Sequence, residues 1–192
     1  MKKIIFISLI FFSIINLSLF AQNQEATISR TAPAIMMQEG GALWMQNQNG
    51  LMIWNASLPA GTKVELYITD QTDSQGNPIP VTETAWTSSG NGTSTKNTFS
   101  KVRYQNSDFF IISSRLASAA TTGKIKEACA VYTKLDFLSA KNRSLAKDTL
   151  ISIGNTFPVT GIISMTEITY FDRNLFSTVT AYVLEEKVAR DK

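Results

Sequence analysis

The chain has 192 residues, of which 44% are hydrophobic, with 18 basic and 15 acidic side chains, one cysteine and no histidine. A single cysteine excludes an internal disulfide, and the lack of histidine excludes Ser–His–Asp and Cys–His catalysis. Basic and acidic residues are interspersed, which is typical of a solvated surface and gives no indication of a nucleic-acid partner. We therefore expect a protein that is not an enzyme and that needs no cofactor and no metal.

The first 21 residues have the pattern of a secretory signal peptide. Lys2 and Lys3 precede an apolar stretch over residues 4–20, and Ala21 offers a cleavage point. Cleavage would remove both lysines, lower the net charge from +3 to +1 and leave no membrane span. Because the apolar stretch approaches the length of a membrane span, an uncleaved anchor stays open as an alternative. We expect an exported protein, periplasmic or extracellular.

Short strand-like segments begin the rest of the chain, with almost no helical periodicity. ALWM (42–45) and LMIW (51–54) flank QNQNG, a sequence that favours a hairpin turn. TKVELYI (62–68) then alternates between an apolar face and a second face that carries Tyr67. KVRY (101–104) and the following FFII predict another hairpin.

The C-terminal part is equally rich in strand-like segments. Residues 118–128 are small and polar, and we interpret them as a linker. After them come CAVYTKLDFL, TLISI, FPVTGII, TEITYF and FSTVTAYVL, all typical of β-strands. The predicted fold class is all-β.

One phrase of the sequence is repeated. KVRYQNSDFF (101–110) returns 66 positions later as EITYFDRNLF (167–176), matching Val102 with Ile168, Tyr104 with Tyr170, Asn106 with Asp172 and Phe110 with Phe176. A second match, between SLPAGTKVEL and LISIGNTFPV, aligns Gly61 with Gly154 at an offset of 93. The two offsets differ, so the first unit contains an insertion, which we place at residues 70–98.

The insertion is mostly Thr, Ser, Asn, Gly and Gln, with one strand-like island, IPVTETAW (79–86). A connection of this length in a small domain is either functional or disordered. Two interpretations stay open, a mobile excursion and a binding loop.

The repeated pattern resembles the bacterial SH3-like (SH3b) domain family. The first copy has L-x-x-G-T-x-V-x-L and then FSKVRYxNSDFFI, with Phe99 at the family's first Trp and Phe110-Ile111 at its Trp-Val pair. In the second copy, GNTFPV, MTEITYFD and FSTVTAYVL follow in the same order, with Met165 and Phe176 at the aromatic positions.

This resemblance implies two small SH3-like β-barrels in tandem, the first with a long inserted loop. The first unit would span residues 35–117 with the insertion 70–98, and the second would span residues 127–188. Barrels of 60–80 residues are small for independent stability, so we expect the two units to pack together.

Aromatic and basic residues of the first unit are the candidates for ligand binding. Tryptophan rings stack on sugars and peptides, although core packing is the alternative for each of them. Lys101 and Arg103 alternate with Val102 and are expected on the outer face, where they meet either an acidic ligand or solvent. The predicted ligand-binding residues are Trp44, Trp54, Trp86, Lys101 and Arg103.

The resemblance also implies a function. We expect a non-enzymatic envelope protein that binds cell-wall peptide or another envelope protein. The alternative is a structural or adaptor protein that makes protein–protein contacts and has no small ligand.

Overall fold

The computed structural model describes residues 30–88, 94–118 and 121–191, and these residues form an all-β protein, as predicted. The predicted signal peptide lies outside the described residues, as do residues 89–93 of the insertion and 119–120 of the linker. Helical structure in the described ranges is confined to three 3-10 turns of three residues each. No helix among them has the length and hydropathy needed to cross a membrane.

The strands form two sheets, one of them a half-barrel, and the N-terminal sheet contains nine strands within the described residues. They are β1 (Arg30–Met36), β2 (Gly41–Gln46), β3 (Met52–Leu58), β4 (Lys63–Thr72), β5 (Pro78–Pro80), β6 (Thr82–Ser88), β7 (Ser94–Tyr104), β8 (Ser107–Ile112) and β9 (Leu116–Ala117). We call it the first sheet.

The second sheet holds the remaining seven strands of the described residues. They are β10 (Thr121–Ile125), β11 (Cys129–Tyr132), β12 (Ala140–Leu145), β13 (Leu150–Pro158), β14 (Ser164–Asp172), β15 (Ser177–Leu184) and β16 (Val188–Arg190).

The two sheets have the same strand order. The first runs β3–β2–β8–β7–β4–β1–β9, and the second runs β12–β11–β15–β14–β13–β10–β16, with antiparallel pairing throughout these paths. A 3-10 turn precedes the last strand in each, at Ser113–Arg115 and Glu185–Lys187. The chain therefore repeats one topology, with β5 and β6 added in the first copy.

The glycine match proposed from the sequence is wrong. Gly61 lies in the turn before β4, whereas Gly154 lies inside β13 at an irregularity of the ladder between Ile153 and Thr156. A Cβ atom on Gly154 would come within 2.8 Å of the Glu167 carboxylate, so a larger residue there would require the Glu167 side chain to move.

The match of Phe110 with Phe176 is also wrong, because the two hairpins have different turns. β7 and β8 are joined by Gln105 and Asn106, both with positive φ, the two-residue turn that suits the twist of a hairpin. β14 and β15 continue further and are joined by four residues, of which Phe176 is the last. The counterpart of Phe110 is Tyr182, since Phe110 pairs with β2 and Tyr182 pairs with the corresponding strand β11.

The insertion is largely sheet in its described part, and this differs from the predicted loop. β5 pairs with β4, while β6 pairs with β7 along seven residues and with β3 at Met52. The strands β2, β3, β6, β7 and β8 thus form a closed circuit. Met52, Ala85 and Phe99 are buried together there, one from each of β3, β6 and β7. β6 therefore completes a small core of its own.

The segment predicted as a linker contains a strand. β10 pairs with β13 on one side and with β16 on the other, and Ile125 is fully buried. Its small residues are a packing requirement, since a Cβ on Gly123 would overlap the backbone of Ala189. The small residues of this segment predicted a linker from the sequence. In the structure, the absence of a side chain at Gly123 allows β10 and β16 to approach each other closely.

Each sheet has its own apolar core, and a third cluster joins them. The main core of the first sheet includes Val64, Leu66 and Val102, and that of the second includes Ile168 and Tyr170. Between the sheets, residues of β1, of the position after it and of β9 pack on residues of β13 and β14, namely Ile35, Met37, Ala117, Leu150 and Phe171. The two sheets therefore pack on each other through apolar side chains.

Candidate functional site

Large apolar side chains are exposed on the first sheet around the β2–β3 hairpin. The exposed fraction is 48% for Met45, 44% for Leu51, 53% for Ile53, 58% for Trp54 and 50% for Trp86. Single exposed apolar residues are ordinary, but a contiguous group is typical of a surface that binds another molecule. We call these five residues the apolar surface.

Backbone pairing brings four residues of the apolar surface to one face of the sheet and places Trp54 on the opposite face. Met45 lies directly opposite Ile53 across the hairpin. β3 is in parallel register with β6 at Met52, which places Leu51 beside Trp86. Because successive side chains alternate between faces and Met52 is buried, its neighbours Leu51 and Ile53 point away from the core.

The three tryptophans have different environments. Trp54 and Trp86 are half exposed, as their predicted role in binding requires. Trp44 pairs with Trp54 across β2 and β3, so both side chains lie on the face of Met52. Trp44 packs there edge-on to Phe99 at 5.9 Å between centroids, partly buried against the small core that β6 closes, and does not belong to the apolar surface.

Sequence reasoning missed three members of the apolar surface, Met45, Leu51 and Ile53. A signal for them was present, because ALWM and LMIW are apolar at every position instead of alternating. Continuous apolar strands are typical of sheets covered on both faces. In the described structure the outer face of this hairpin is uncovered, which leaves its apolar residues in solvent.

Lys101 and Arg103 lie on the outer face of β7, as predicted, and both lie over the ring of Tyr67. The Lys101 ammonium is 4.8 Å from the ring centroid, and the Arg103 guanidinium is 5.2 Å from it. Tyr67 lies on the second face of β4 and is buried there, since it retains only 2% of its accessible surface. Lys101 and Arg103 also contact the Asp108 carboxylate, at 3.1 and 3.8 Å.

Hydrogen bonds complete this cluster. The Tyr67 hydroxyl donates to Asp108 at 2.6 Å and accepts from Arg103. Burial raises the pKa of Tyr67, and the hydrogen bond from Tyr67 lowers the pKa of Asp108. Glu65 lies 4.0 Å from Arg103 and adds a second negative charge. The cluster is therefore balanced in charge, and its two cations are already engaged by partners within the sheet.

An open groove of about 490 Å³ runs beside the charged cluster. Its walls come from β1, β4 and the β7–β8 turn, and both Arg103 and Glu65 line it. Lys63 lines the groove as well, so its lining holds two basic side chains and one acidic side chain, of which Arg103 and Glu65 contact each other. None of its lining residues belongs to the apolar surface.

Metal binding has no support in the part of the chain that the structure describes. No three His, Cys, Asp or Glu side chains come together there as a ligand set. Cys129 is partly buried against the core of the second sheet, and burial raises the pKa of its thiol.

Comparison with protein-family models, with curated protein sequences and with solved structures found no match to this chain. Its function therefore has to be inferred from its own residues.

Proposed function

We propose that this chain is an exported, non-enzymatic binding protein that holds a cell-wall peptide on the apolar surface of its first sheet. The carrying observation is the exposure of five large apolar side chains, two of them tryptophans, around one hairpin. Exposed tryptophans contribute strongly to binding because a flat ring buries much area at little cost in conformational entropy. Export is supported by the signal-like pattern of residues 1–21.

The proposal includes two SH3-like barrels in tandem. It is supported by the shared strand order of the two sheets and by the 3-10 turn before the last strand of each. The insertion gives the first copy an additional strand, β6, and with it Trp86. The second sheet has no tryptophan, so the copies differ at the proposed binding surface.

A second candidate is an adaptor that binds another envelope protein through the second sheet. It is favoured by the loop after β11, where Leu135, Phe137 and Leu138 are 37%, 42% and 99% exposed. A short apolar loop of this kind fits a groove on a partner protein.

Pull-down on purified peptidoglycan sacculi separates the two candidates. The matched variants are Trp54→Ala with Trp86→Ala on the first sheet, and Phe137→Ala with Leu138→Ala on the second. We expect the wild type and the second-sheet variant to be retained and the tryptophan variant to be lost. Equal retention of all three proteins would exclude the apolar surface as the site. No retention of the wild type, together with a co-purifying protein that Leu138→Ala releases, would favour the adaptor.

A further inference from the structure

An arginine at the junction of the two sheets has no acidic partner among the residues that the structure describes. Arg115 ends the 3-10 turn before β9, and its carbonyl accepts a hydrogen bond from the Met37 backbone at 2.9 Å. Its guanidinium lies 5.3 Å from the ring centroid of Phe171 and 5.4 Å from that of Phe176. The two rings hold the side chain by cation–π contact without neutralising its charge.

Four of the five other arginines in the described residues contact a carboxylate, and the fifth, Arg173, is exposed to solvent. Arg103, Arg143 and Arg190 are among these four. Arg115 forms no such ion pair with any described residue, and its buried Nη1 atom has no hydrogen-bond acceptor. Leaving a buried donor without an acceptor is unfavourable, and more so when the donor belongs to a charged group.

The corresponding residue of the second sheet is neutralised internally. Lys187 ends the matching 3-10 turn, and its carbonyl accepts from the Lys126 backbone at 2.9 Å, as that of Arg115 does from Met37. The Lys187 ammonium contacts Glu127 at 2.5 Å and Glu186 at 3.2 Å. One topological position therefore carries a cation in both sheets, and only the second sheet supplies the anion from its own described residues.

A small pocket adjoins Arg115. It encloses about 190 Å³ and is lined by Gln38, Gly40, Ala42, Trp44, Ile112 and Arg115. Trp44 brings a second buried donor without an acceptor, its indole Nε1. The lining contains no acidic residue. The volume is below the roughly 300 Å³ of a small-molecule site, so it suits one group of a ligand.

We propose that this pocket binds a carboxylate group, with the Arg115 guanidinium as its counter-ion and the Trp44 indole N–H as an additional donor. A guanidinium matches the planar geometry of a carboxylate and donates to both of its oxygens. One cation balances one negative charge, which favours a carboxylate over a dianionic phosphate. Ala42 and Ile112 provide apolar contact for the carbon chain that bears the carboxylate. This site is separate from the apolar surface and does not depend on the cell-wall proposal.

The test uses the indole N–H signals of the full-length folded protein in nitrogen-edited NMR. The chain has three tryptophans, so a Trp44→Phe variant assigns the Trp44 signal by its absence. The probes are N-acetylalanine, its neutral amide and inorganic phosphate, each added at constant ionic strength. We expect a saturable shift of the Trp44 signal with N-acetylalanine and none with the amide. No shift with N-acetylalanine, an equal shift with the amide, or a stronger response to phosphate would overturn the proposal.

Variants of Arg115 and of its counterpart Lys187 complete the test. Arg115→Lys keeps the charge but loses the two-donor geometry, and we expect it to weaken N-acetylalanine binding about tenfold. Lys187→Gln in the second sheet is the matched control and should leave the affinity unchanged. If Arg115→Lys lowers the melting temperature, Trp44→Phe serves as the second variant, with binding followed on the Arg115 guanidinium signal. Unchanged affinity in Trp44→Phe and in a folded Arg115→Lys would contradict the assignment.

Discussion

Gly61 and Asp148 hold the same position in two matching turns. Gly61 donates its backbone N–H to the carbonyl of Met36 at 2.7 Å, and Asp148 donates to that of Ile125 at 2.8 Å. Both residues have positive φ, of 87° and 63°. Each is followed by a threonine, Thr62 or Thr149, whose hydroxyl closes the turn. The first sheet thus uses glycine, and the second uses an acidic residue, for the same left-handed conformation.

The effect of substitutions at Gly61 and Asp148 on stability should depend on how well the new residue tolerates a positive φ. We expect Gly61→Ala to lower the free energy of unfolding by about 1 kcal/mol, because a Cβ is disfavoured at positive φ. The nearest atoms to that Cβ would be the Leu150 methyls at 3.8 Å, an ordinary contact, so packing does not contribute. Asp148→Gly should be nearly neutral, and Asp148→Ala should be destabilising. Urea unfolding of the three variants measures this order, and a neutral Gly61→Ala would contradict it.

The Tyr67–Asp108 hydrogen bond predicts a pH dependence of stability. It lowers the folded-state pKa of Asp108 from 3.8, so the stabilisation is present above that value and is lost as the pH falls through the lower folded pKa. The Asp108 side chain is 46% exposed, so we expect less than about 1 kcal/mol at pH 7.

Melting temperatures of the wild type, Asp108→Asn and Tyr67→Phe between pH 7 and pH 2 measure this effect. The wild type should melt highest at pH 7, and its advantage over both variants should shrink below pH 4. An advantage over Asp108→Asn that is constant down to pH 2 would show that ionisation of Asp108 is not the cause.

The exposed tryptophans and a buried tyrosine should respond differently to truncation. Trp54→Ala or Trp86→Ala is expected to weaken sacculus binding by at least about 1 kcal/mol without changing the melting temperature. Tyr170 is 4% exposed in the core of the second sheet, so Tyr170→Ala should cost about 3 kcal/mol of stability. Thermal melts and binding isotherms on the same three variants test both statements. Unfolded tryptophan variants would place those rings in the core instead.

The thiol of Cys129 should react slowly with alkylating reagents in the folded protein. Burial raises its pKa, which reduces the thiolate fraction, and the thiolate is the reactive form. Cys129 is the single cysteine, so the mass shift with iodoacetamide at pH 8 reports it alone. We expect faster labelling in urea than in buffer, and equal rates would mean that the core of the second sheet does not cover the sulfur.

Export can be measured on the mature protein. The pattern of residues 1–21 predicts a chain that begins at or near Gln22 and is found outside the cytoplasm. Intact mass of the protein from the envelope or medium measures this directly. A mass that retains residues 1–21 would indicate an N-terminal membrane anchor.

The repeated phrase predicted part of the fold correctly, and the limit of its success has a physical cause. Val102 and Ile168 are both fully buried in central strands of their sheets, so alternation identified them reliably. The match failed beyond the turn because the second hairpin is longer and has a four-residue connection, which moves Phe176 into the turn. Turn length is set by local backbone geometry, and a constant offset does not represent it.

The candidate site could be predicted only where local sequence decides exposure. Trp86 lies among polar residues and is half exposed, as expected. Trp44 is partly buried because β6, more than 35 residues later, closes the small core against which it packs. The partner of Lys101 and Arg103 is Tyr67 on β4, another long-range contact that spacing along β7 does not reveal.

Because the described strands pair only within their own sheet, the two sheets can form one after the other during folding. Every ladder among the described residues joins strands of one sheet, and the first sheet ends at Ala117. All of its strands therefore emerge from the ribosome before any strand of the second. N-terminal units of such chains fold first. The first sheet can complete its ladders alone, which leaves docking of Phe171 against Arg115 and β1 as a late step of folding.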